Sequence, residues 1–139
     1  MTILVVENSV SEMACAVGWA ASLGINVVRA WSVADAFEYI TTVDGIITDI
    51  YIPLNTGEVH NHSDRPCGLL VAFKAQKNQI PFIFCTSGYN HQTKYEWVTW
   101  LTQHLDWPQV IDGMKTESEE YASKNWGKAF DRLLRMIGN

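Results

Sequence analysis

Short runs of β-branched and aliphatic residues alternate with amphipathic stretches along the whole chain, and this alternation limits the fold more than any other feature. Ile3-Leu4-Val5-Val6 is the first run and Ile25 to Ala30 the second. The third is Gly45-Ile46-Ile47-Thr48-Asp49-Ile50-Tyr51-Ile52-Pro53, the fourth Ile80-Pro81-Phe82-Ile83-Phe84-Cys85-Thr86-Ser87, and a weaker fifth covers Gln109 to Met114. Uninterrupted apolar runs of strand length read as strands buried on both faces, as in parallel sheets. The intervening stretches read as helices. Ser9 or Ser11 caps the first, whose apolar positions are Met13, Ala14, Val17, Trp19, Ala20 and Leu23, and Gly24 stops it. Ser32 caps the second, through Ala34, Phe37 and Ile40; Gly68 to Lys77 and about Gln92 to His104 supply two more. Ser118 opens the last, with Tyr121, Ala122, Trp126, Ala129, Phe130, Leu133, Leu134 and Ile137 as its core face. Strands alternating with helices predict an α/β fold with a parallel sheet covered on both sides.

The 139 residues are expected to form one domain, 1–139. A composition 47% hydrophobic and 18% charged supports a full core and argues against disorder. A net charge of −5 gives no general affinity for nucleic acid or an anionic membrane. No apolar run approaches a membrane span, and a first strand at Ile3 leaves no room for a signal peptide, so a cytoplasmic location is expected. Cys15, Cys67 and Cys85 have no metal-type spacing and read as reduced thiols.

Right-handed crossovers bring the carboxyl ends of parallel strands to one edge of the domain. Glu7, Asn8, Asp49, Thr86, Ser87 and Lys115 fall at such ends. Ligands of open α/β sheets sit in the crevice along that edge. Asp49 is the sharpest member, because a carboxylate in an apolar run costs several kcal/mol to bury without compensation. These residues mark a site.

Taken in order, the segments resemble the receiver domain of two-component response regulators over essentially the whole chain. Ile3-Leu4-Val5-Val6-Glu7-Asn8 is similar to the first strand with its acidic pair. Ile46-Ile47-Thr48-Asp49-Ile50-Tyr51-Ile52-Pro53 is similar to the phosphoacceptor strand, including the Pro four residues after the Asp. Phe82-Ile83-Phe84-Cys85-Thr86-Ser87-Gly88-Tyr89 is similar to the fourth strand and its hydroxyl residue. The resemblance implies a flavodoxin-like (βα)5 three-layer sandwich with strand order 2-1-3-4-5. It also implies that Asp49 accepts a phosphoryl group, Thr86 hydrogen-bonds a phosphoryl oxygen, and Lys115 pairs with another oxygen or with Asp49, Lys124 being the substitute. Magnesium would be held by Glu7, Asn8, Asp49 and the Tyr51 backbone carbonyl.

Three departures from the family pattern bear on function. Asn8 stands where a second acid is usual, which removes a charge from the metal site but keeps a carbonyl oxygen. Lys115 is followed by Thr116 rather than Pro, and Asp112 stands where an aromatic is common. The family's Gly after the Pro is best matched by Gly68, which leaves Leu54 to Cys67 as an expanded loop. In it, Glu58, His60, His62, Asp64 and Cys67 read as a polar, solvated loop, with a transition-metal site at His60-Asn61-His62 as the alternative. His91, Lys94 and Tyr95 lie where receivers commonly place an output face, and one of Trp97, Trp100 and Trp107 is expected at an interface.

The resemblance therefore implies a signalling switch rather than an enzyme. Its upstream partner would be a sensor histidine kinase or phosphotransfer protein, and its downstream partner a protein of unknown identity. With the last helix ending near Ile137, a stand-alone receiver is expected. The alternative is a degenerate receiver acting as a phosphorylation-independent interaction module. A flavodoxin-like nucleotide binder would need a Gly-rich phosphate loop where Asn8-Ser9-Val10-Ser11 stands.

Overall fold

The computed structural model describes residues 1–57, 65–87, 92–113 and 124–138, with side chains 92–95 outside the description. Strands β1 (Thr2–Val6), β2 (Asn26–Ala30), β3 (Gly45–Thr48) and β4 (Phe82–Phe84) alternate with helices α1 (Val10–Ser22), α2 (Val33–Tyr39), α3 (Gly68–Lys77), α4 (Gln92–His104) and α5 (Trp126–Gly138). A 3-10 turn at Ile40–Thr42 leads from α2 to β3. The sheet is parallel, in the order β2-β1-β3-β4. Its register aligns Leu4 with Val28 and Ile46, and Ile47 with Ile83. This is the flavodoxin-like arrangement expected.

Among the described residues the fifth strand shows one parallel bridge. Ile111 pairs with Cys85, its N–H donating to Phe84 O at 2.8 Å and its carbonyl accepting from Thr86 N at 2.9 Å. The position beside β4 is thus filled, but Gln109 and Asp112 add no further pairing to the regular ladder. β4 is likewise shorter than its apolar run, because Pro81 within that run has no N–H to give the ladder.

Successive strand residues face opposite sides, and two cores follow. Leu4, Val6, Ile46, Ile50 and Phe84 pack under α2, α3 and Val98 of α4. Ile3, Val5, Ile47, Ile83 and Cys85 pack under α1 and α5, against Met13, Ala16, Trp126 and Phe130. Trp107 closes the first core edge-on to Phe73 and Phe82, at centroid distances of 4.8 and 5.2 Å. Of the three tryptophans in question, Trp107 is buried, whereas Trp97 and Trp100 are exposed on α4. Trp19 and Phe37, apolar positions of α1 and α2, are also exposed.

One boundary corrects the sequence reading. The last helix starts at Trp126, not Ser118. Asn125 caps it, its Oδ1 accepting from Lys128 N at 3.1 Å, and residues 124–125 are not helical. Ser118, Tyr121 and Ala122 lie outside the described residues. The expanded loop is also tied down at its base. Ile52 bridges Pro66, and Pro53 and Leu54 carbonyls accept from Val33 N and Ala34 N of α2. Thr56 Oγ1 donates within reach of Ser32 Oγ at 2.9 Å and Asp35 Oδ2 at 2.7 Å. Glu58, His60, His62 and Asp64 lie outside the described residues.

Candidate functional site

The site forms where β1 and β3 run out. β1 ends at Val6 and delivers Glu7 and Asn8; β3 ends at Thr48 and delivers Asp49. Asp49 N donates to Val6 O at 3.0 Å, so the ladder between the two strands continues one residue past β3 and fixes the two acids side by side. Glu7 is 1% exposed. The Asp49 side chain is 14% exposed. Burying two carboxylates together is tolerated only with compensation.

Lys124 supplies it. Its Nζ lies 2.8 Å from Asp49 Oδ2 and also donates to Glu7 Oε1. Glu7 Oε2 accepts from Ser9 N at 2.8 Å, and Asp49 Oδ1 accepts from Ile50 N at 2.7 Å. Every one of these four carboxylate oxygens therefore has a donor. Burial pushes the Glu7 carboxyl above its ordinary value; Lys124 opposes this and the Asp49 charge adds to it. Burial pulls the Lys124 ammonium down, but Asp49 and Glu7 outweigh it and hold its pKa above the lysine range. Burial also raises the Cys85 thiol above its ordinary value, so it stays protonated.

A cleft of about 290 Å³ opens over this group, lined by Glu7, Asn8, Ser9, Glu12, Asp49, Ser87 and Lys124. Thr86 is buried at the end of β4, and Ser87 next to it lines the cleft. Tyr51 follows Asp49 on the same loop, partly buried against the first core. Close approach holds that loop: Gly68 N donates to Ile50 O at 2.8 Å, and a Cβ on Gly68 would lie 2.0 Å from Asp49 O. Only glycine fits where α3 meets the loop, which accounts for Gly68 resuming the pattern after the expanded loop.

Of the expected residues, the structure brings together Glu7, Asn8 and Asp49, with Thr86 at the neighbouring strand end. Lys115 and Thr116 lie outside the described residues, as do Gly88, Tyr89 and His91. Among the described residues the cation that reaches both acids is Lys124, the second choice in sequence. One local signal pointed to it. A lysine directly before a helix N-terminus opposes the helix dipole and needs another reason to be there. Placing Lys124 inside a helix starting at Ser118 hid that signal. Glu12 was missed altogether, since an acid in a first helical turn is ordinary.

Among the described residues, no three His, Cys, Asp or Glu side chains converge as an all-protein metal cage would. Magnesium does not require one. It is usually bound through one or two carboxylates, with waters and phosphate oxygens completing the shell. Two carboxylates and the Asn8 amide in an open cleft fit that pattern.

No protein-family model and no curated protein matches the chain. Solved structures do. A two-component response regulator from Clostridium difficile superposes with a TM-score of 0.65 at 15% identity, over 100% of this chain and 99% of that one. NtrX from Brucella abortus gives 0.65 at 16% identity, over 99% of this chain and 27% of that chain. This chain thus spans about a quarter of NtrX. The receiver domain of the sensor histidine kinase PA1611 from Pseudomonas aeruginosa PAO1, with magnesium coordinated in its active site cleft, gives 0.55 at 15% identity, over 99% and 98%. At such identities the likeness is one of fold. The protein has the receiver fold of two-component response regulators. Among the described residues no helix is long and apolar enough to cross a membrane.

Proposed function

We propose that the protein is a receiver that accepts a phosphoryl group on Asp49 from a sensor histidine kinase or phosphotransfer protein and signals through protein contacts. The observation that carries this reading is the Lys124 ammonium held between Asp49 and Glu7 at the carboxyl edge of the sheet. An Asp49 oxygen forms a bond to phosphorus while the P–N bond of phosphohistidine breaks. The imidazole leaves with the electron pair and takes up a proton. Lys124 then exchanges an Asp49 oxygen for a phosphoryl oxygen, keeping a charge-assisted hydrogen bond throughout. Thr86 and Ser87, at the end of β4, are the hydroxyl donors for the remaining oxygens. Glu7, Asn8, Asp49 and the Tyr51 carbonyl would hold magnesium, which when bound neutralises charge on the transferring group. The magnesium in the cleft of the PA1611 receiver, which shares this fold, supports that choice. The role is that of a switch, with catalysis confined to its own phosphorylation and dephosphorylation.

A second reading keeps the fold but drops phosphorylation. It is favoured by Asn8 and by the internal neutralisation of Asp49 and Glu7 by Lys124. Tryptophan fluorescence separates the two, because Trp126 lies beside the site. Saturable quenching by magnesium, extended by beryllofluoride only when magnesium is present, is expected of the receiver. No response to either supports the constitutive interaction module.

A further inference from the structure

The Lys124 ammonium is buried, yet its residue belongs to no helix or strand. Something else must fix four rotatable bonds. The ring of Trp126, two residues on, lies with its centroid 5.8 Å from Lys124 Nζ. Trp126 is itself 2% exposed, and its Nε1 donates to Glu12 Oε2 at 2.7 Å. Glu12 sits in the first turn of α1, where the helix dipole favours a carboxylate. Its backbone N–H is capped by Ser9 Oγ at 3.3 Å, and Ser9 N holds Glu7 Oε2. The contacts close a ring from Glu7 through Ser9, Glu12, Trp126 and Lys124 back to Glu7. That ring joins the starts of α1 and α5 to the end of β1.

A carboxylate only 5% exposed is costly, and an apolar side chain at position 12 would serve the packing alone. We propose that Glu12, acting through Trp126, is a positioning residue for Lys124: the hydrogen bond orients the indole, and the indole holds the ammonium on the line between Glu7 and Asp49. This inference rests on the receiver reading for its consequence, since a lysine that stabilises a transferring phosphoryl group acts only from the right place. Glu12 touches neither donor nor phosphoryl group in this account. The mount therefore acts on the rate of transfer.

The test compares Glu12→Gln, Glu12→Leu and Trp126→Phe with the wild type. Glu12→Gln keeps an acceptor for the indole N–H, Glu12→Leu removes it, and Trp126→Phe keeps a ring in the core without the N–H. The rate of Asp49 phosphorylation is measured at saturating magnesium and acetyl phosphate, magnesium affinity by titration, and the Lys124 methylene proton shifts by NMR. The rate should fall about ten-fold in Glu12→Leu and about three-fold in Trp126→Phe, with magnesium affinity unchanged in Trp126→Phe, whose ring does not line the cleft. Glu12→Gln should restore it to within about two-fold. The ring-current displacement of the Lys124 methylenes should shrink in the same order as the rate. Wild-type rates and shifts in both Glu12→Leu and Trp126→Phe overturn the proposal. A loss in Glu12→Gln equal to that in Glu12→Leu also overturns it, because the effect then belongs to charge. Trp126→Phe decides the matter where Glu12→Leu does not fold. A wild type that takes no phosphoryl group sinks the receiver reading, and the Lys124 shifts alone then judge the mount.

Discussion

Lys124 Nζ lies 2.8 Å from Asp49 Oδ2, 75 positions away in the chain, and the same nitrogen donates to Glu7 Oε1. One buried cation thus answers a buried acid and a partly buried one. That balance accounts for a charged cluster at the end of two otherwise apolar strands, and it dictates what removal of the cation does.

Lys124→Met leaves Glu7 and Asp49 facing each other unneutralised. Breaking a buried ion pair from one side costs about 3–5 kcal/mol. The loss should be largest at neutral pH and smaller in acid, where one carboxyl takes up a proton. In the wild type the sign runs the other way. A lysine whose folded pKa is raised contributes stability that is fully present below its unfolded value and lost as pH rises through the folded one. Urea unfolding across pH should show an alkaline decline in the wild type that Lys124→Met lacks.

Glu7 contributes in the opposite part of the scale. Its folded pKa is raised by burial and by Asp49, against the pull of Lys124. A carboxyl raised on folding favours the fold below its unfolded pKa, and that contribution is lost as pH rises through the folded value. Glu7→Gln should remove this component, so the variant loses less stability than the wild type between acid and neutral pH. A steeper decline in the variant, by chemical denaturation, would contradict the assignment.

Gly68→Ala tests how the expanded loop rejoins the site. The added methyl would sit 2.0 Å from Asp49 O, so α3 or the Asp49 loop has to move. Overpacking of this kind costs about 1–3 kcal/mol. The variant should melt earlier than the wild type, and its Asp49 should react more slowly. An Ala variant of full stability would mean that the loop yields freely.

Much of this was legible in sequence, and the failures have physical causes. Parallel strands announce themselves because burial on both faces leaves no polar alternation, so β1 and β3 fell where their apolar runs lie. The fifth strand was harder, since Gln109 to Met114 carries only Val110 and Ile111 as strand formers, and among the described residues one bridge forms, at Ile111. Glu7, Asn8 and Asp49 were readable because topology alone places strand ends. Lys124 was not, because its position depends on where α5 starts. That start was set by Asn125 rather than by the apolar period, which extends through Tyr121 and Ala122. Glu12 and Trp126 meet across 114 positions, and no local pattern signals such a bond.

Asn8→Asp addresses the metal side of the site. Asn8 lines the cleft beside Glu7 and Asp49, and replacing its amide by a carboxylate adds one negative charge there. Magnesium should bind at least about five-fold more tightly, by calorimetric titration. An unchanged affinity would remove Asn8 from the neighbourhood of the metal.

Asp49 is the proposed acceptor, and intact-mass measurement after incubation with magnesium and acetyl phosphate tests this most directly. The wild type should gain the mass of one phosphoryl group, the gain should require magnesium, and Asp49→Asn should show none. No mass gain in the wild type, or an equal gain in Asp49→Asn, would contradict the account.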